Sequence, residues 1–362
     1  MKKIVPLLLI IIGIGAGLWL YSRFMQTTTF TNTEVNPDQV PPGQQQAQNE
    51  SDASNSTESG TTSASRTALI NSATSPTESM DDVKPAAQAY RSAEDAVAAA
   101  IKGAKDFDDS VLEQFTEPGP DCSWCPQFYS SIQELVTNPN TPQDQKSYMA
   151  EILAISGRPD NVQVLVESIK NAPSSTEADI YAEALELTLG KDDVTKVLGE
   201  QLSTTNDTLR ESSVAAITNQ GTKLAAELLQ KHIQERNDPD AYYSAGTGPG
   251  EFIPDEEALP YVQELVGKRD AYSPQWGKAL INAGLPGLQA FFEQLENSGS
   301  PDSNRDLIKG ALDHVNNEDG IKELTDNVIA NYRSPEAIQF AKDIQQEFAQ
   351  QEAEEGEGTT EP

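Results

Sequence analysis

The sequence predicts an all-α protein: an α-solenoid of stacked helical hairpins, placed behind an N-terminal transmembrane helix and a disordered linker. Two observations support this prediction. Apolar residues recur at helical spacing through most of the chain after residue 84. A short turn containing Gly or Asp precedes nearly every apolar run, at intervals of about 30 residues. A repeat of this length indicates helical hairpins that bury their apolar faces against their neighbours.

The apolar runs define the repeat. Their first members are Val162, Val194, Leu224, Leu259, Leu288 and Ile321, with successive gaps of 32, 30, 35, 29 and 33 residues. Each run continues with the spacing of one helix face. A second apolar stripe lies before most of the turns, so each unit contains two helices. We place these repeats at residues 141–351.

Two helices of about 14 residues joined by a short turn are typical of α-solenoid hairpins. The pattern resembles HEAT-type and armadillo-type repeats over roughly residues 127–351. The resemblance is one of period and apolar spacing. The Trp, Gly and Tyr positions of tetratricopeptide repeats do not occur, and no Asp–Arg pair of the HEAT consensus recurs cleanly. The resemblance therefore implies an architecture, and it carries over no functional residue.

Residues 1–24 predict a transmembrane anchor. Lys2 and Lys3 precede the uncharged segment 4–21, whose 18 residues can span a hydrocarbon core. The basic residues before this segment place the N-terminus in the cytoplasm. We therefore expect a single-pass protein of a bacterial inner membrane with its C-terminal domain in the periplasm. A cleaved signal peptide has the same order of charges and remains the alternative.

Two segments are predicted to be disordered. In residues 25–83, apolar side chains are few and have no period, and 20 of the 55 residues from Gln26 to Met80 are Ser or Thr. Such a composition buries too little apolar surface to offset chain entropy, so we expect a flexible linker. The acidic segment 352–362 predicts a disordered tail.

Residues 84–140 predict a helical cap that contains the only two cysteines, Cys122 and Cys125. Outside the cytoplasm, an isolated pair most simply forms a structural disulfide. A redox-active pair and a metal site are the alternatives. Haem attachment is disfavoured because Pro126 occupies the place of the required His. Trp124 can either pack the open end of the repeats or form a contact with a partner.

Residues 238–255 interrupt the repeat with a segment rich in Tyr, Gly and Pro. Insertions on one face of a solenoid are often binding sites. Tyr242, Tyr243 and Phe252 are therefore candidate partner contacts, and a packed irregular loop is the alternative. A phosphate-binding loop is disfavoured because no strand precedes the glycines and no Lys-Ser/Thr pair follows them.

Charge and motifs exclude several functions. Residues 84–351 contain 21 Lys and Arg against 44 Asp and Glu, a formal charge of −23. This charge repels phosphate backbones and disfavours nucleic-acid binding. The chain contains no HExxH, GxSxG, Walker or Rossmann motif. We expect neither catalysis nor a cofactor or metal.

The sequence therefore predicts a membrane-anchored periplasmic scaffold that binds another protein of an envelope assembly. Two alternatives remain. One is an envelope thiol–disulfide protein that uses Cys122 and Cys125. The other is a module that recognises a cell-wall ligand through the insertion at residues 238–255.

Overall fold

The computed structural model describes residues 84–116, 122–239, 246–297 and 300–357. All of these residues belong to one compact unit. The described residues form helices and connecting segments without a β-strand, which confirms the all-α class. The predicted anchor and linker lie outside the described residues. Among the residues that are described, no helix has the length and apolar character needed to cross a membrane.

The sixteen α-helices of the described residues are given in chain order. They are α1 Ala86–Ala89, α2 Ala93–Asp106, α3 Ser110–Thr116, α4 Cys125–Thr137, α5 Gln143–Ile155, α6 Pro159–Asn171, α7 Ser175–Glu186, α8 Asp192–Gly199, α9 Asp207–Thr218, α10 Lys223–Arg236, α11 Leu259–Gly267, α12 Ser273–Asn282, α13 Leu285–Asn297, α14 Pro301–Ile308, α15 Ile321–Asn331 and α16 Pro335–Glu357. Two 3-10 turns, Pro249–Glu251 and Leu312–His314, complete the helical structure of this part of the chain.

The helices after α3 contact one another in two rows. In the second row, each of α4, α6, α8, α10, α11, α13 and α15 contacts the next. In the first row, α5 contacts α7 and α7 contacts α9, and further along α12 contacts α14 and α14 contacts α16. The first row thus contains two groups of three helices. Between them lies the segment 246–258, with the 3-10 turn Pro249–Glu251 against α10 and α12.

The predicted apolar stripes form the core. All four stripe residues of α6 and all four of α13 are buried. These are Val162, Leu165, Val166, Ile169, Leu288, Phe291, Phe292 and Leu295. The helices α5, α9 and α12 are buried on nearly all sides in their C-terminal halves, because each lies between neighbours of both rows. The second-row helices are therefore held in the fold by packing of one apolar face, whereas the first-row helices are buried on several sides.

Hydrogen bonds connect the turns of successive hairpins. The Leu189 N–H donates to the Ala154 carbonyl at 3.3 Å, and the Gln220 side chain donates to the Thr188 carbonyl at 2.6 Å. The next such bond runs from the Asp255 N–H to the carbonyl of Gly221, at 2.9 Å. Each bond joins positions 32 to 35 residues apart. The turns that mark the repeat in the sequence are therefore in register in space.

Serine hydroxyls cap several of the helices. Ser174, Ser300 and Ser334 accept hydrogen bonds from the first turns of their helices, as is favourable for Ser at an N-cap. Ser273 has a different role: it is the first residue of α12, and its hydroxyl donates to the Leu265 carbonyl at 3.1 Å. The helix α16 continues to Glu357, into the predicted disordered tail, whose Glu and Ala residues have high helix propensity.

Candidate functional site

The segment 246–258 occupies the place of a helix between α9 and α12. On the α9 side, the Gly248 N–H donates to Thr218 Oγ1 at 2.9 Å. On the α12 side, Asn282 Nδ2 donates to the carbonyls of Gly250 and Phe252 at 3.1 and 3.3 Å. The segment is therefore held by both of its neighbours. We call it the bridging segment.

The sequence of the bridging segment explains why it forms no helix. Gly246 and Gly248 have φ angles of 69° and 82°, in the left-handed region that favours glycine. Pro249 and Pro254 lack the N–H that a helix interior requires. At Gly250, a Cβ atom would lie 2.6 Å from Gln275 Oε1, so a larger residue would require the Gln275 side chain on α12 to shift.

An aromatic pair forms the floor of the bridging segment. Phe252 and Trp276 are both fully buried, and their ring centroids lie 5.9 Å apart in an edge-to-face arrangement. The Trp276 Nε1–H donates to Gln230 Oε1 on α10, so the indole also links the two rows. Phe252 is therefore a core residue, and its prediction as a partner contact is wrong. Its side chain enters the space that an apolar residue of a first-row helix would fill.

The other two predicted contacts of this region, Tyr242 and Tyr243, lie outside the described residues. The described ends that flank them are Pro239 and Gly246. Both flanks belong to the same interruption of the first row. The tyrosines therefore stay predictions.

Several polar side chains are buried in and around the bridging segment. Glu251, Gln275 and Lys278 are each at most 8% exposed. On α10, Gln230 and His232 are each 5% exposed. Burying a polar group without a partner costs several kcal/mol, so such groups are held by hydrogen bonds or ion pairs inside the protein. These five residues therefore belong to the interior of the interrupted unit.

His232 shows the electrostatic effect of this burial. Burial lowers the pKa of the imidazole to about 4, and the positive charges of Arg236 and Arg210 act in the same direction. Glu235 opposes this shift more weakly. The imidazole is therefore neutral at pH 7, and it can act as both a hydrogen-bond donor and an acceptor.

Trp124 lies in an aromatic cluster at the N-terminal end. Its ring is edge-to-face with Phe128 at 6.0 Å and with Tyr90 at 6.4 Å, and it is half-buried. Phe115 stacks on Phe128 with a centroid distance of 4.3 Å. Of the two roles that the sequence allows for Trp124, these contacts favour packing of the cap.

Cys122 and Cys125 are joined as a disulfide, with their Cα atoms 5.4 Å apart. Cys125 is the first residue of α4 and is 5% exposed, whereas Cys122 is half-buried. Among the described residues, no three His, Cys, Asp or Glu side chains are grouped to hold a metal ion.

Asn282, Trp276 and Gln230 form the contacts on the α12 side of the bridging segment, directly or through one another, and none of them was predicted as a site residue. For Asn282, the sequence does contain a pattern that could have identified it. Asn219 and Asn282 both stand two residues before a turn glycine, and both donate to a carbonyl of the preceding unit. The spacing Asn-x-Gly therefore marks positions that link successive units. Trp276 has no comparable signal, because its partner Gln230 is 46 residues away.

Comparison with known proteins found no family model that matches the chain and no similar sequence among curated proteins.

Proposed function

We propose that the protein is a membrane-anchored periplasmic scaffold, built as a HEAT-like α-solenoid, that binds another protein of a bacterial envelope assembly. The observation that carries this proposal is the interruption of the first row. A helix is replaced there by a segment that is hydrogen-bonded to α9 and α12, while the second row continues without a break. An insertion that interrupts one row of a repeat stack is often where a partner binds.

The repeat architecture supports a binding role. Contacts run between successive helices of the second row and within each group of three in the first row, as expected for a solenoid in which each unit packs on its neighbours. Extended surfaces of this kind more often bind proteins than small molecules. The tyrosines at positions 242 and 243 lie in the chain between Pro239 and the start of the bridging segment at Gly246. Tyrosine is enriched where proteins bind one another, because it combines apolar area with a hydroxyl group.

Charge indicates the kind of partner. The formal charge of −23 over residues 84–351 leads us to expect a partner with a cationic surface. The N-terminal segment 1–24 would anchor the chain in the inner membrane, and residues 25–83 would let the repeats move relative to it.

Site-specific photocrosslinking in intact cells tests this function. A photoreactive amino acid replaces Tyr242 or Tyr243, and in the control it replaces Gln350, an exposed residue of α16. We expect one discrete protein adduct from the tyrosine positions that is absent from the Gln350 control. No adduct, or the same adducts from all three positions, would contradict a partner site at the interruption.

Localisation is tested independently. A reporter enzyme that is active only outside the cytoplasm is fused after residue 357. We expect activity in membrane fractions, and expect it to be lost when Leu8 and Leu9 are both replaced by Arg. A second reporter, active only in the cytoplasm, is fused at the same position as a control. Activity of this second reporter and not of the first would reject the proposed orientation.

A further inference from the structure

The disulfide between Cys122 and Cys125 closes a very small ring. The two residues are three positions apart. Closing so short a loop removes little entropy from the unfolded chain, because the entropy lost on cross-linking grows with the length of the closed loop. Cross-linking α4 to its own preceding residue also joins no second element of the fold. Stabilisation of the cap is therefore a weak explanation for this bond.

The two sulfur-bearing residues differ in exposure. Cys125 begins α4 and is 5% exposed, beneath the packing of α4 on α2 and α5. Cys122 precedes the helix and is half-buried. A thiolate that approaches from solvent therefore meets the sulfur of Cys122 first. Because exchange requires access to the attacked sulfur, this difference in exposure favours attack at Cys122 over attack at Cys125.

The start of α4 favours a negative charge. Its N-cap residue is Trp124, whose side chain accepts no hydrogen bond from the first turn, and Pro126 follows at the second position. Ser92 and Ser174, by contrast, cap α2 and α7 with side-chain oxygens. The Cys125 N–H already donates to the Cys122 carbonyl at 3.3 Å, and Pro126 has no N–H. An anion at this helix start is therefore stabilised by the helix dipole and not by these two positions. A thiolate on Cys125 would supply that anion.

We propose that the Cys122–Cys125 disulfide is a directional exchange site for an external thiol. The thiolate of the external thiol attacks Cys122 Sγ and forms a mixed disulfide there. The electron pair of the broken bond goes to Cys125 Sγ, which leaves as a thiolate at the start of α4. A second external thiolate then attacks the sulfur of the first, releasing an oxidised dimer of the external thiol and the Cys122 thiolate. Two thiols are oxidised and one protein disulfide is reduced. This inference is independent of the proposed partner site.

Mapping of the mixed disulfide tests the direction of attack. The folded, oxidised protein is incubated with excess glutathione, quenched with acid and analysed by peptide mass spectrometry. We expect glutathione on Cys122 at least about tenfold more often than on Cys125, because of this difference in exposure. The same reaction in denaturant serves as the control and should label both cysteines. Equal labelling in the folded protein would overturn the proposal, and so would exchange no faster than global unfolding.

Two single variants test the leaving group. Cys122→Ser leaves Cys125 as the sole thiol, and Cys125→Ser leaves Cys122. Iodoacetamide reacts with the thiolate, so its rate against pH gives the pKa of each cysteine. We expect the pKa of Cys125 to lie below the ordinary value of about 8.5, and below that of Cys122. A Cys125 pKa at or above the ordinary value would reject the role of the helix start. Circular dichroism of both variants checks that the helices are retained.

The source of the thiol is distinguished by rates. Reduced thioredoxin represents an exposed protein cysteine and is compared with glutathione at equal thiol concentration. Samples are quenched with acid at intervals, and mass spectrometry counts the opened cysteines after alkylation. Faster opening by thioredoxin identifies a protein thiol as the partner, and faster opening by glutathione identifies a small thiol. If neither reagent changes the redox state of the folded protein, the proposal is wrong.

Discussion

The Nδ1 atom of His314 lies 3.1 Å from the Oδ1 atom of Asn282. Asn282 already donates through Nδ2 to two carbonyls of the bridging segment, so its Oδ1 atom is an acceptor. His314 must therefore carry its proton on Nδ1 in this contact. One amide side chain thus connects the bridging segment, the end of α12 and the 3-10 turn that follows α14.

Asn282→Ala removes this connection. Two carbonyls and one imidazole N–H lose their partner in a half-buried site, and we expect the free energy of unfolding to fall by about 2 to 4 kcal/mol. Urea denaturation followed by circular dichroism measures the change. The control is Asn219→Ala, since Asn219 is exposed and donates only to the Glu186 carbonyl. The control should lose less than about 1 kcal/mol. Equal losses would show that Asn282 has no special role.

Phe252→Ala tests the assignment of this residue to the core. The variant leaves a cavity against Trp276, and we expect a loss of about 3 to 5 kcal/mol in the free energy of unfolding. Phe252→Leu keeps most of the volume and should lose less than about 1.5 kcal/mol. Thermal and urea unfolding measure both. If Phe252→Ala were as stable as the parent, the side chain would have to be exposed, contrary to the structure.

Gly221→Ala tests the register of the turns. The φ angle of Gly221 is 69°, and a Cβ atom would lie 2.8 Å from the Ile253 carbonyl oxygen. We expect a loss of about 2 kcal/mol or more, because strain and the backbone clash add.

Gly267→Ala is the matched control for Gly221→Ala. It belongs to α11, and its nearest contact would be the side-chain oxygen of Gln294 at 3.5 Å. The alanine should leave stability unchanged or raise it by a few tenths of a kcal/mol. Equal losses in the two variants would mean that the inter-hairpin contact at Gly221 is absent in solution.

His232 predicts a dependence of stability on pH. The pKa of His232 in the folded state is about 4, below the ordinary value of about 6.5. Below pH 6.5 the unfolded chain binds a proton that the folded chain does not, so stability falls as the pH drops from about 6.5 to about 4. The contribution reaches about 3 kcal/mol at the lower limit.

The variant His232→Gln isolates this effect. Glutamine keeps hydrogen-bonding capacity but does not titrate, so the difference between the two stability curves removes the contribution of the carboxylates. We expect the variant to lose less stability than the parent between pH 6.5 and pH 4 in urea denaturation. Parallel curves would show that the pKa of His232 is the same in both states.

The second row was the part of the fold best predicted from the sequence. Its helices bury one face, so residues such as Val162 and Phe291 follow a simple period. The first row is buried on several sides, and its helix starts depend on contacts from other units. At α12, for example, Asp270 Oδ1 accepts from the N–H of Ser273, so the hydroxyl of Ser273 is free to bond elsewhere. Local capping rules assign the cap to the hydroxyl of Ser273, so they could not predict that Asp270 caps this helix instead.

The position of the candidate site could be predicted from the sequence, but the orientation of its side chains could not. The wide gap between Leu224 and Leu259 and its Gly and Pro residues identified the interruption. The position of Phe252 did not follow, because an aromatic residue in an irregular segment can face solvent or core. Only its partner Trp276, 24 residues later, decides between these, and distant pairings have no periodic signature.

The bridging segment also determines the order in which parts of the protein should unfold under force or in denaturant. Helices on either side of it have their own row contacts. Among the described residues, the 3-10 turn of the bridging segment packs closely on α12, whereas its contacts with α10 are fewer and it is joined to α9 by the hydrogen bond from Gly248 to Thr218. Cooperative unfolding units form where contacts are dense and separate where they are sparse. The domain should therefore consist of two foldons, α4–α10 and α11–α16, and mechanical pulling or mild denaturant would release them one after the other.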